Sequence, residues 1–590
     1  MSRRHSKSTP NPRAAGKSPA VDVSRPREDR WDCLWLAAFL LLAFLVGCVE
    51  IEDGDIWWHL RTGQLIFERG EVPRTDWFTY TNPESPWIDL HWGFQLIAAA
   101  LWAVGGAPAL VLAKSCLGTV TFALCLGCRR PEWPWRRVVA CWLPSILIFS
   151  GRNQVRPEMF SLLFLAGTLA VLFHQDRRPW LVWLLPLIQV LWINIHALFI
   201  LGLVVWFCFL ADAVMRIVAR RFIVAKHAPP PTAVEIRRWA IVTFLVLAAA
   251  LVNPYGFEGA MFPRTLLERI QGDQRGFYQA FAGEFNGLGD FIGANGLWAA
   301  FTNLTTCMLL ALFVLGLATF GRLVASRRFN LFRALLFAIF AYLAWQASRN
   351  SALFALVGGW VVHTNLGELL EGRKSAASAT FRGGRVTLAT VLGFLLLAVP
   401  TNILWFRRPS VNPRLFGLGE VPGVFAHDAA RFLSLDGMPR WVYANDFDQA
   451  AVYTFHNGPE RKVFADGRLE VNTPETLSRY RQIERQFVNR DPGVLENLTH
   501  GIPPDVEGKP EVPALLFDVR VFIKIPGLLA GLRADNRFQA VYGGYDKIAV
   551  VFLDRSQAQR LGLPPVSNEV LQNLEEAIQQ SMVNRRADGP

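Results

Sequence analysis

A succession of apolar runs, each close to the length that a helix needs to cross a bilayer, most constrains the fold of this chain. A membrane-spanning helix takes about 20 predominantly apolar residues, and only helices and closed barrels satisfy their backbone groups within hydrocarbon. The sequence predicts about eleven spans, which lie near residues 32–50, 107–128, 137–150, 157–174, 179–195, 197–215, 238–252, 297–320, 330–346, 350–366 and 386–405.

Composition agrees with a polytopic membrane protein. Hydrophobic residues make up 52% of the 590 positions and charged residues 18%, below the roughly 25% that is usual in soluble domains. The formal charge of +12 lies largely in an N-terminal arm, residues 1–30, and in short loops between apolar runs. This distribution fits orientation in a membrane rather than binding to nucleic acid. We predict that the arm is disordered and cytoplasmic, and that the chain binds no nucleic acid.

One apolar stretch, residues 92–106, decides the orientation of all later loops. If it spans the membrane, every later loop changes side. The positive-inside rule keeps clusters of arginine in the cytoplasm, and it is satisfied only when 92–106 is re-entrant or interfacial. The clusters lie at 129–137, 177–178, 216–238, 322–328 and 373–385. We therefore predict a multi-pass protein of the cytoplasmic membrane, with the N-terminus inside and the C-terminus outside.

The same orientation gathers the polar residues of the remaining loops at the outer face. The first outer loop, 51–92, opens with "IEDGDIWWHLR", and a large outer loop is predicted at 253–296. Ionisable residues at a membrane edge are costly, so they are functional candidates by default. Asp53 and Asp55 can act as a general base or as ligands of a divalent metal ion. A pair of acids that only marks an interface is the alternative.

Cationic and aromatic candidates accompany these acids. Arg152, Arg156, Arg349 and His196 follow spans on the outer side, and a guanidinium suits phosphate oxygens. Pairing between Arg156 and Glu158 would explain the arginine equally well. Residues predicted to contact a substrate are Trp57, Trp58, His59, His91, Glu158, Asn194, Tyr255 and Glu284. The tryptophans also fit an aromatic belt, and the histidines fit satisfied structural residues.

The membrane domain, 31–406, precedes a polar segment, 407–590. In this segment short β-like runs alternate with helical patterns, which predicts a small α/β domain. The β-like runs lie at 440–446, 462–468, 514–519 and 545–554, and the helical patterns at 425–435, 473–488 and 567–583. Asp446, Asp448, Asp466 and Arg468 lie at or after strand ends, where binding residues often occur. We interpret the domain as a non-catalytic cap or acceptor-binding unit that folds on its own.

Several stretches of the sequence resemble a known superfamily. "DGDIWWHLRTGQLIFERGEVPRTDWFTYT", "RPEMFSLLFL", "NIHALFILG" and "NPYG" are similar to a bacterial group of GT-C-like membrane proteins. The order of elements resembles the GT-C glycosyltransferases, which include protein O-mannosyltransferases and lipid A aminoarabinose transferases. That order is a first span, an acidic outer loop, a re-entrant segment, further spans and an outer soluble domain.

The resemblance implies a polyprenyl-phosphate sugar donor, inverting transfer, and an aspartate of the first outer loop as base. Asp55 best occupies this position with Asp53 beside it, although Gly54 separates acids that are adjacent in many relatives.

The predicted function is transfer of a sugar to a lipid, glycan or protein acceptor at the outer face. Arg152, Arg156, Arg349 and His196 would neutralise the departing phosphate, and a metal ion on Asp53 and Asp55 stays an open alternative. A lipid or glycan transporter or flippase should show broken helices at the midplane and inverted repeats, whereas the sequence has no internal repeat and its charges collect at one side. A non-catalytic assembly protein is the second alternative.

Reporter fusions test the orientation. A reporter enzyme that is active only outside the cytoplasm should work when fused after Arg408 and fail when fused after Arg220, because only this arrangement keeps the basic clusters inside. The two fusions serve as controls for each other when their expression is matched. The reverse pattern would disperse the outer-face residues and contradict the prediction.

Overall fold

The computed structural model describes residues 32–130, 133–218, 229–271, 285–370, 381–405, 414–504, 508–525, 527–543, 548–574 and 576–577. Over these residues the chain is mostly helical, with a small mixed sheet near the C-terminus. The predicted arm at 1–30 and the candidate Glu284 lie outside the described residues.

The first part of the chain is a bundle of helices, most of which contribute to one large buried apolar cluster. Its α-helices are α1 (Asp32–Gly47), α2 (Asp55–Arg69), α3 (Trp92–Gly127), α4 (Trp135–Phe149), α5 (Glu158–His174), α6 (Leu184–Ile193), α7 (Ile200–Val218), α8 (Ala233–Ala249), α9 (Phe257–Gln271), α10 (Leu288–Thr302), α11 (Leu304–Ala325), α12 (Leu331–Gln346), α13 (Ser351–Leu369) and α14 (Phe381–Ala398).

The predicted apolar runs fall on these helices, with two differences. The run at 297–320 crosses two helices, because Asn303 ends α10 and caps α11 by accepting the backbone N–H of Thr306. The predicted outer loop 253–296 is helical over most of its described residues, where α9 and the start of α10 lie. By length and composition, three helical segments of the described chain can cross a membrane: Trp92–Gly127, Ala197–Val218 and Leu304–Ala325. The number of spans stays a prediction.

Helix α3 is broken within the ambiguous apolar stretch. Gly105 and Gly106 leave helical geometry, and the φ of 59° at Gly106 is one that glycine adopts readily. Before the break, Trp92 Nε1 donates to Asn194 Oδ1 at 3.1 Å. The ring of Trp102 lies 5.8 Å from that of Phe455, which belongs to the C-terminal unit, the described residues from 414 onward. The start of the segment 92–106 therefore contacts the end of α6, and its later part contacts the C-terminal unit. The interfacial or re-entrant placement of 92–106 stays a prediction.

The C-terminal unit contains a five-stranded mixed sheet in the order β2-β1-β3-β5-β4. Strand β1 is parallel to β2 and β3, and β5 is antiparallel to β3 and β4. The strands are β1 (Trp441–Ala444), β2 (Lys462–Val463), β3 (Ala514–Asp518), β4 (Phe538–Tyr542) and β5 (Ala549–Asp554). Four of them lie in predicted runs. The edge strand β4 was missed because its short, half-buried pattern gives little periodic signal.

Helices pack on both faces of this sheet. They are α15 (His427–Phe432), α16 (Phe447–Asn457), α17 (Pro474–Asn489), α18 (Val494–Leu498), α19 (Val519–Lys524), α20 (Leu528–Ala534) and α21 (Arg555–Arg560). Helix α16 follows β1 directly, and its backbone begins at Asp446, whose side chain accepts the N–H groups of Asp448 and Gln449. The sequence prediction missed α16, which packs on α2.

The C-terminal unit and the first outer loop share a hydrophobic core. Trp57, Phe78 and Trp87 of the loop belong to the same buried cluster as Val442 and Tyr453 of the C-terminal unit. The loop also extends the sheet, because the N–H of Val463 in β2 donates to the carbonyl oxygen of Phe78 at 2.9 Å. Separating the two parts would expose apolar surface on both. This shared core argues against the expectation that 407–590 folds on its own.

A buried arginine joins the two parts electrostatically. Arg468 is 0% exposed, and its Nη2 lies 2.6 Å from Asp466 Oδ2 and 2.7 Å from Asp76 Oδ1 of the first outer loop. Its guanidinium carbon lies 4.3 Å from the ring centroid of Trp87, within cation–π range. Burial opposes the charge, but the carboxylates of Asp466 and Asp76 outweigh it and raise the pKa of Arg468. The charge is therefore retained at the contact between loop and C-terminal unit.

Replacing Asp76 by Asn should destabilise the protein by about 3 kcal/mol, because Arg468 would stay buried with one carboxylate removed. Thermal unfolding of the purified full-length variant measures the effect. Asp428→Asn is the control, since its ion pair with Arg431 is exposed and its loss should change the free energy of unfolding by less than about 1 kcal/mol. Equal unfolding temperatures for the two variants would contradict the role of Arg468.

Candidate active site

Asp53 and Asp55 lie in the turn between α1 and α2. Asp55 begins α2, where the helix dipole favours negative charge. Asp53 Oδ1 accepts the backbone N–H of Asp55 at 3.3 Å, and Trp58 Nε1 donates to Asp55 Oδ1 at 3.3 Å. The Asp53 side chain is 6% exposed and that of Asp55 is 29% exposed. Of the two acids, Asp55 has the more exposed carboxylate.

Arg156, in the turn before α5, bridges both acids. Its Nη2 lies 2.8 Å from Asp53 Oδ1 and 2.9 Å from Asp55 Oδ2, and its Nε also donates to Asp53 Oδ2. Arg156 is therefore paired with the acid turn, and its pairing with Glu158 stays a prediction. Glu158 lies instead beside Arg152, with 3.5 Å between its Oε2 and Arg152 Nε. The acid pair predicted from the first outer loop and the arginine predicted after α4 come together as one cluster.

The C-terminal unit adds a third acid to this cluster. A Cβ on Gly54 would lie 2.4 Å from Asp448 Oδ1 and 2.5 Å from Asp448 Cα, so the start of α16 packs directly on Gly54. Burial, with the charges of Asp446, Asp53 and Asp55, raises the pKa of Asp448 well above its ordinary value. This shift favours the protonated carboxyl, which can donate a hydrogen bond. The close approach also gives a physical reason for the glycine that separates Asp53 from Asp55.

Gly467 places the backbone of the C-terminal unit against Asp55. A Cβ on Gly467 would lie 2.9 Å from Asp55 Oδ1. Gly467 lies between Asp466 and Arg468, which are buried in the contact with the first outer loop. The Asp-Gly pair, which reads as an ordinary turn in sequence, therefore forms one wall of the site.

Three histidines form a row next to the acid cluster. The ring centroids of His59 and His91 are 5.6 Å apart, and those of His91 and His196 are 5.4 Å apart. Trp58 links the row to the acids, since its ring lies 3.6 Å from that of His59. His196 Nδ1 is hydrogen-bonded to Ser161 Oγ at 2.7 Å. The structure thus brings His196 next to the two histidines of the first outer loop.

The histidines differ in their electrostatic environments. Burial, with the charges of His91 and Arg156, lowers the pKa of His59 well below its ordinary value. Burial also opposes protonation of His91, but the hydrogen bond and charge of Asp89 outweigh it and raise the pKa of His91. Asp89 Oδ1 lies 3.4 Å from His91 Nδ1 and is fully buried. Within this row, His91 is the histidine that most favours a proton.

Other predicted contact residues have partners within the protein. Trp57 is fully buried, and its ring lies 4.5 Å from that of His427 in the C-terminal unit. Asn194 Nδ2 donates to the carbonyl oxygen of Val252 at 2.7 Å. Tyr255 Oη donates to the carbonyl oxygen of Pro73 at 2.7 Å, and the guanidinium of Arg349 lies 5.2 Å from the ring of Phe285. These contacts brace the loops around the cluster, and substrate binding by these four residues stays a prediction.

The metal prediction has no further support. Among the described residues, no group of three or more His, Cys, Asp or Glu side chains is arranged to hold a metal ion. Asp53 and Asp55 supply two carboxylates, and both contact Arg156. Metal binding by this pair stays a prediction.

Two solved structures align with most of this chain. The archaeal oligosaccharyltransferase AglB from Archaeoglobus fulgidus, solved with an inhibitory peptide and a dolichol-phosphate, aligns over 86% of this chain and 72% of its own, with a TM-score of 0.54 and 13% identity. ArnT from Cupriavidus metallidurans in the apo state aligns over 89% of this chain and 98% of its own, with a TM-score of 0.42 and 13% identity. Both are membrane glycosyltransferases of the GT-C superfamily. No family model and no curated protein matches the sequence.

The likeness to the oligosaccharyltransferase confirms the GT-C fold that the sequence resembles. Together with the apolar helices, this fold identifies a multi-pass membrane protein.

Gly54→Ala should destabilise the protein by about 1–3 kcal/mol, because the added methyl group overlaps the backbone of Asp448 and overpacking forces shifts of this cost. Thermal unfolding of the full-length protein measures the effect. Gly127→Ala is the matched control, since a Cβ there meets nothing within 4 Å. If both variants unfold at the wild-type temperature, α16 does not pack on the acid turn as described.

Proposed function

We propose that this protein is an inverting glycosyltransferase of GT-C type. It transfers a sugar from a polyprenyl-phosphate donor to a lipid, glycan or protein acceptor at the outer face of the cytoplasmic membrane. The observation that carries the proposal is the accessible carboxylate of Asp55, which lies 2.9 Å from Arg156 Nη2 where the C-terminal unit meets the first outer loop.

Asp55 acts as the general base in this proposal. The acceptor hydroxyl oxygen attacks the anomeric carbon from the face opposite the phosphate, and the bond between that carbon and the phosphate oxygen breaks. The leaving phosphate takes the electron pair, and Asp55 takes the hydroxyl proton. A polyprenyl phosphate is already a good leaving group, so this chemistry needs a base and cations rather than a strong general acid.

Asp53 serves as a positioning residue. Its two oxygens hold the Nε and Nη2 of Arg156, and its Oδ1 accepts the N–H that begins α2. A buried carboxylate with these contacts has little access to an acceptor. The exposed fraction of the side chain is 6% for Asp53 and 29% for Asp55. This difference in exposure favours Asp55 as the base.

The charge that develops on the phosphate requires cations close to Asp55. Arg156 is the first candidate because it already contacts the acid and its side chain is 22% exposed. Arg152, Arg349 and His196 complete the proposed phosphate contacts, with His91 beside His196. Asp448, whose protonated form is favoured, is proposed as a hydrogen-bond donor to the acceptor or to Asp55.

The donor class draws further support from fold similarity. The archaeal oligosaccharyltransferase was solved with a dolichol-phosphate and an inhibitory peptide. A dolichol-phosphate is a polyprenyl phosphate, so a lipid-linked donor is consistent with this fold. The sugar transferred by the present protein is a separate question that the test below addresses with a panel of donors.

Asp55→Asn should lower sugar transfer by about 10²–10⁴-fold, since asparagine cannot accept the proton, while the unfolding temperature changes little. The assay incubates purified full-length protein with a panel of polyprenyl-phosphate sugars and measures the release of free polyprenyl phosphate. Asp436→Asn, on an exposed loop of the C-terminal unit, is the control and should keep full activity.

A structural acid would behave differently, because its loss would leave Arg156 with one carboxylate fewer and would lower stability. Full transfer by Asp55→Asn would end its assignment as base. The absence of donor cleavage by the wild-type protein across the panel would favour the transporter or assembly alternatives.

A further inference from the structure

A large cavity lies at the end of the helical bundle opposite the acid cluster. Helix α1 starts at Asp32 and ends at Gly47, and Asp55 follows its end after a short turn. At the other end, Asp32 Oδ2 accepts the backbone N–H of Trp135 at 2.7 Å, close to the cavity wall at Trp133. The cavity measures about 980 Å³, and the helix ends around it are those of α3, α5, α7 and α13 together with the start of α12.

The charged lining of this cavity is predominantly cationic. Arginine side chains outnumber carboxylates, and the lining contains Arg130, Arg177, Arg216, Arg328 and Arg333 against Asp176, Asp212 and Glu368. Glu368 is paired with Arg333, and Asp212 Oδ2 lies 3.1 Å from Arg216 Nε. These pairs neutralise two of the acids, so the remaining arginines leave a net positive charge. Such a site favours an anion, and guanidinium groups suit phosphate in particular.

Part of the remaining lining is apolar and comes from the faces of the helices. Phe173, Phe209, Met215 and Phe332 line the same cavity as the arginines. A ligand that satisfies both parts has an anionic head and an apolar tail. Basic pockets between membrane helices on the cytoplasmic side recognise acidic lipid head groups through this combination. The sequence predicts the cytoplasmic side for this end, because the loops that supply Arg177 and Arg328 carry basic clusters.

We propose that this cavity binds the phosphate head group of an anionic lipid, independently of the acid cluster at the other end of the bundle. The arginines contact the phosphate, and the apolar wall receives the first part of the acyl or prenyl chain. A bilayer phospholipid and a polyprenyl phosphate share this chemistry, and the experiment distinguishes the two sources. None of the cavity residues belongs to the proposed catalytic cluster. The proposal for the cavity can therefore be tested separately from the proposed function.

The loops around the cavity supply a matched pair of variants. Arg177 and Arg328 line the cavity, whereas their neighbours Arg178 and Arg327 do not. The double variant Arg177→Gln/Arg328→Gln and the control Arg178→Gln/Arg327→Gln remove the same charge from the same two loops. General attraction to an anionic surface therefore falls equally in both, and only the cavity variant loses direct phosphate contacts.

The experiment measures lipid binding to the full-length protein. Wild type and both variants are placed in nanodiscs of phosphatidylcholine, alone, with added phosphatidylglycerol, or with added polyprenyl phosphate, and their unfolding temperatures are compared. An anionic lipid that binds the folded state should raise the unfolding temperature of wild type and of the control. The cavity variant should lose most of this rise, and lipid titration should show an affinity about tenfold or more weaker.

The lipid that stabilises the wild-type protein identifies the source of the phosphate head group. A rise with phosphatidylglycerol identifies a bilayer phospholipid, and a rise with polyprenyl phosphate alone identifies the carrier. Equal responses of the cavity and control variants would overturn the proposal, as would the full rise with inorganic phosphate in phosphatidylcholine nanodiscs. If the double variant does not fold, the single variant Arg177→Gln is compared with Arg178→Gln by counting retained lipids in native mass spectrometry, and equal counts overturn the proposal.

Discussion

The charge of Arg468, buried where the C-terminal unit meets the first outer loop, is the constraint on which the candidate site depends. An isolated buried guanidinium would be prohibitively costly, so Asp466 and Asp76 must be supplied from the two sides of the contact. Satisfying this charge fixes the register between loop and C-terminal unit. The same docking buries Trp57 and Trp87 in a shared core and brings Gly467 against Asp55.

Docking also explains why the acid pair differs from a simple surface feature. Asp53 and Asp55 face a cation from the membrane bundle, Arg156, and an acid from the C-terminal unit, Asp448. Arg156 contacts the carboxylates of Asp53 and Asp55, whereas burial and the neighbouring acids raise the pKa of Asp448 and favour its protonated form. The C-terminal unit therefore contributes residues to the candidate site.

The two ends of the helical bundle have opposite electrostatic character. At one end, acids cluster around Asp55, with Arg156 and the histidine row beside them. At the other end, the arginines around the cavity outnumber the acids. Helices alternate in direction through the bundle, so loops at each end come together even though they are far apart in sequence. The proposed lipid phosphate site lies at the basic end, and the proposed phosphate-releasing reaction lies at the acidic end.

The sequence by itself determined the helical positions, because apolar runs of span length have few alternatives in a membrane. It also identified Asp53, Asp55 and Arg156 as candidates, since charges at a membrane edge are rare enough to be conspicuous. Local pattern did not reveal the pairing of Arg156 with both acids, the approach of Asp448 to Gly54, or the link between Arg468 and Asp76. These contacts join residues that are about a hundred to four hundred positions apart. Tertiary structure alone decided them. The burial of Arg468 and the shared apolar core join distant segments, and the local sequence of one segment does not indicate which other segment it contacts.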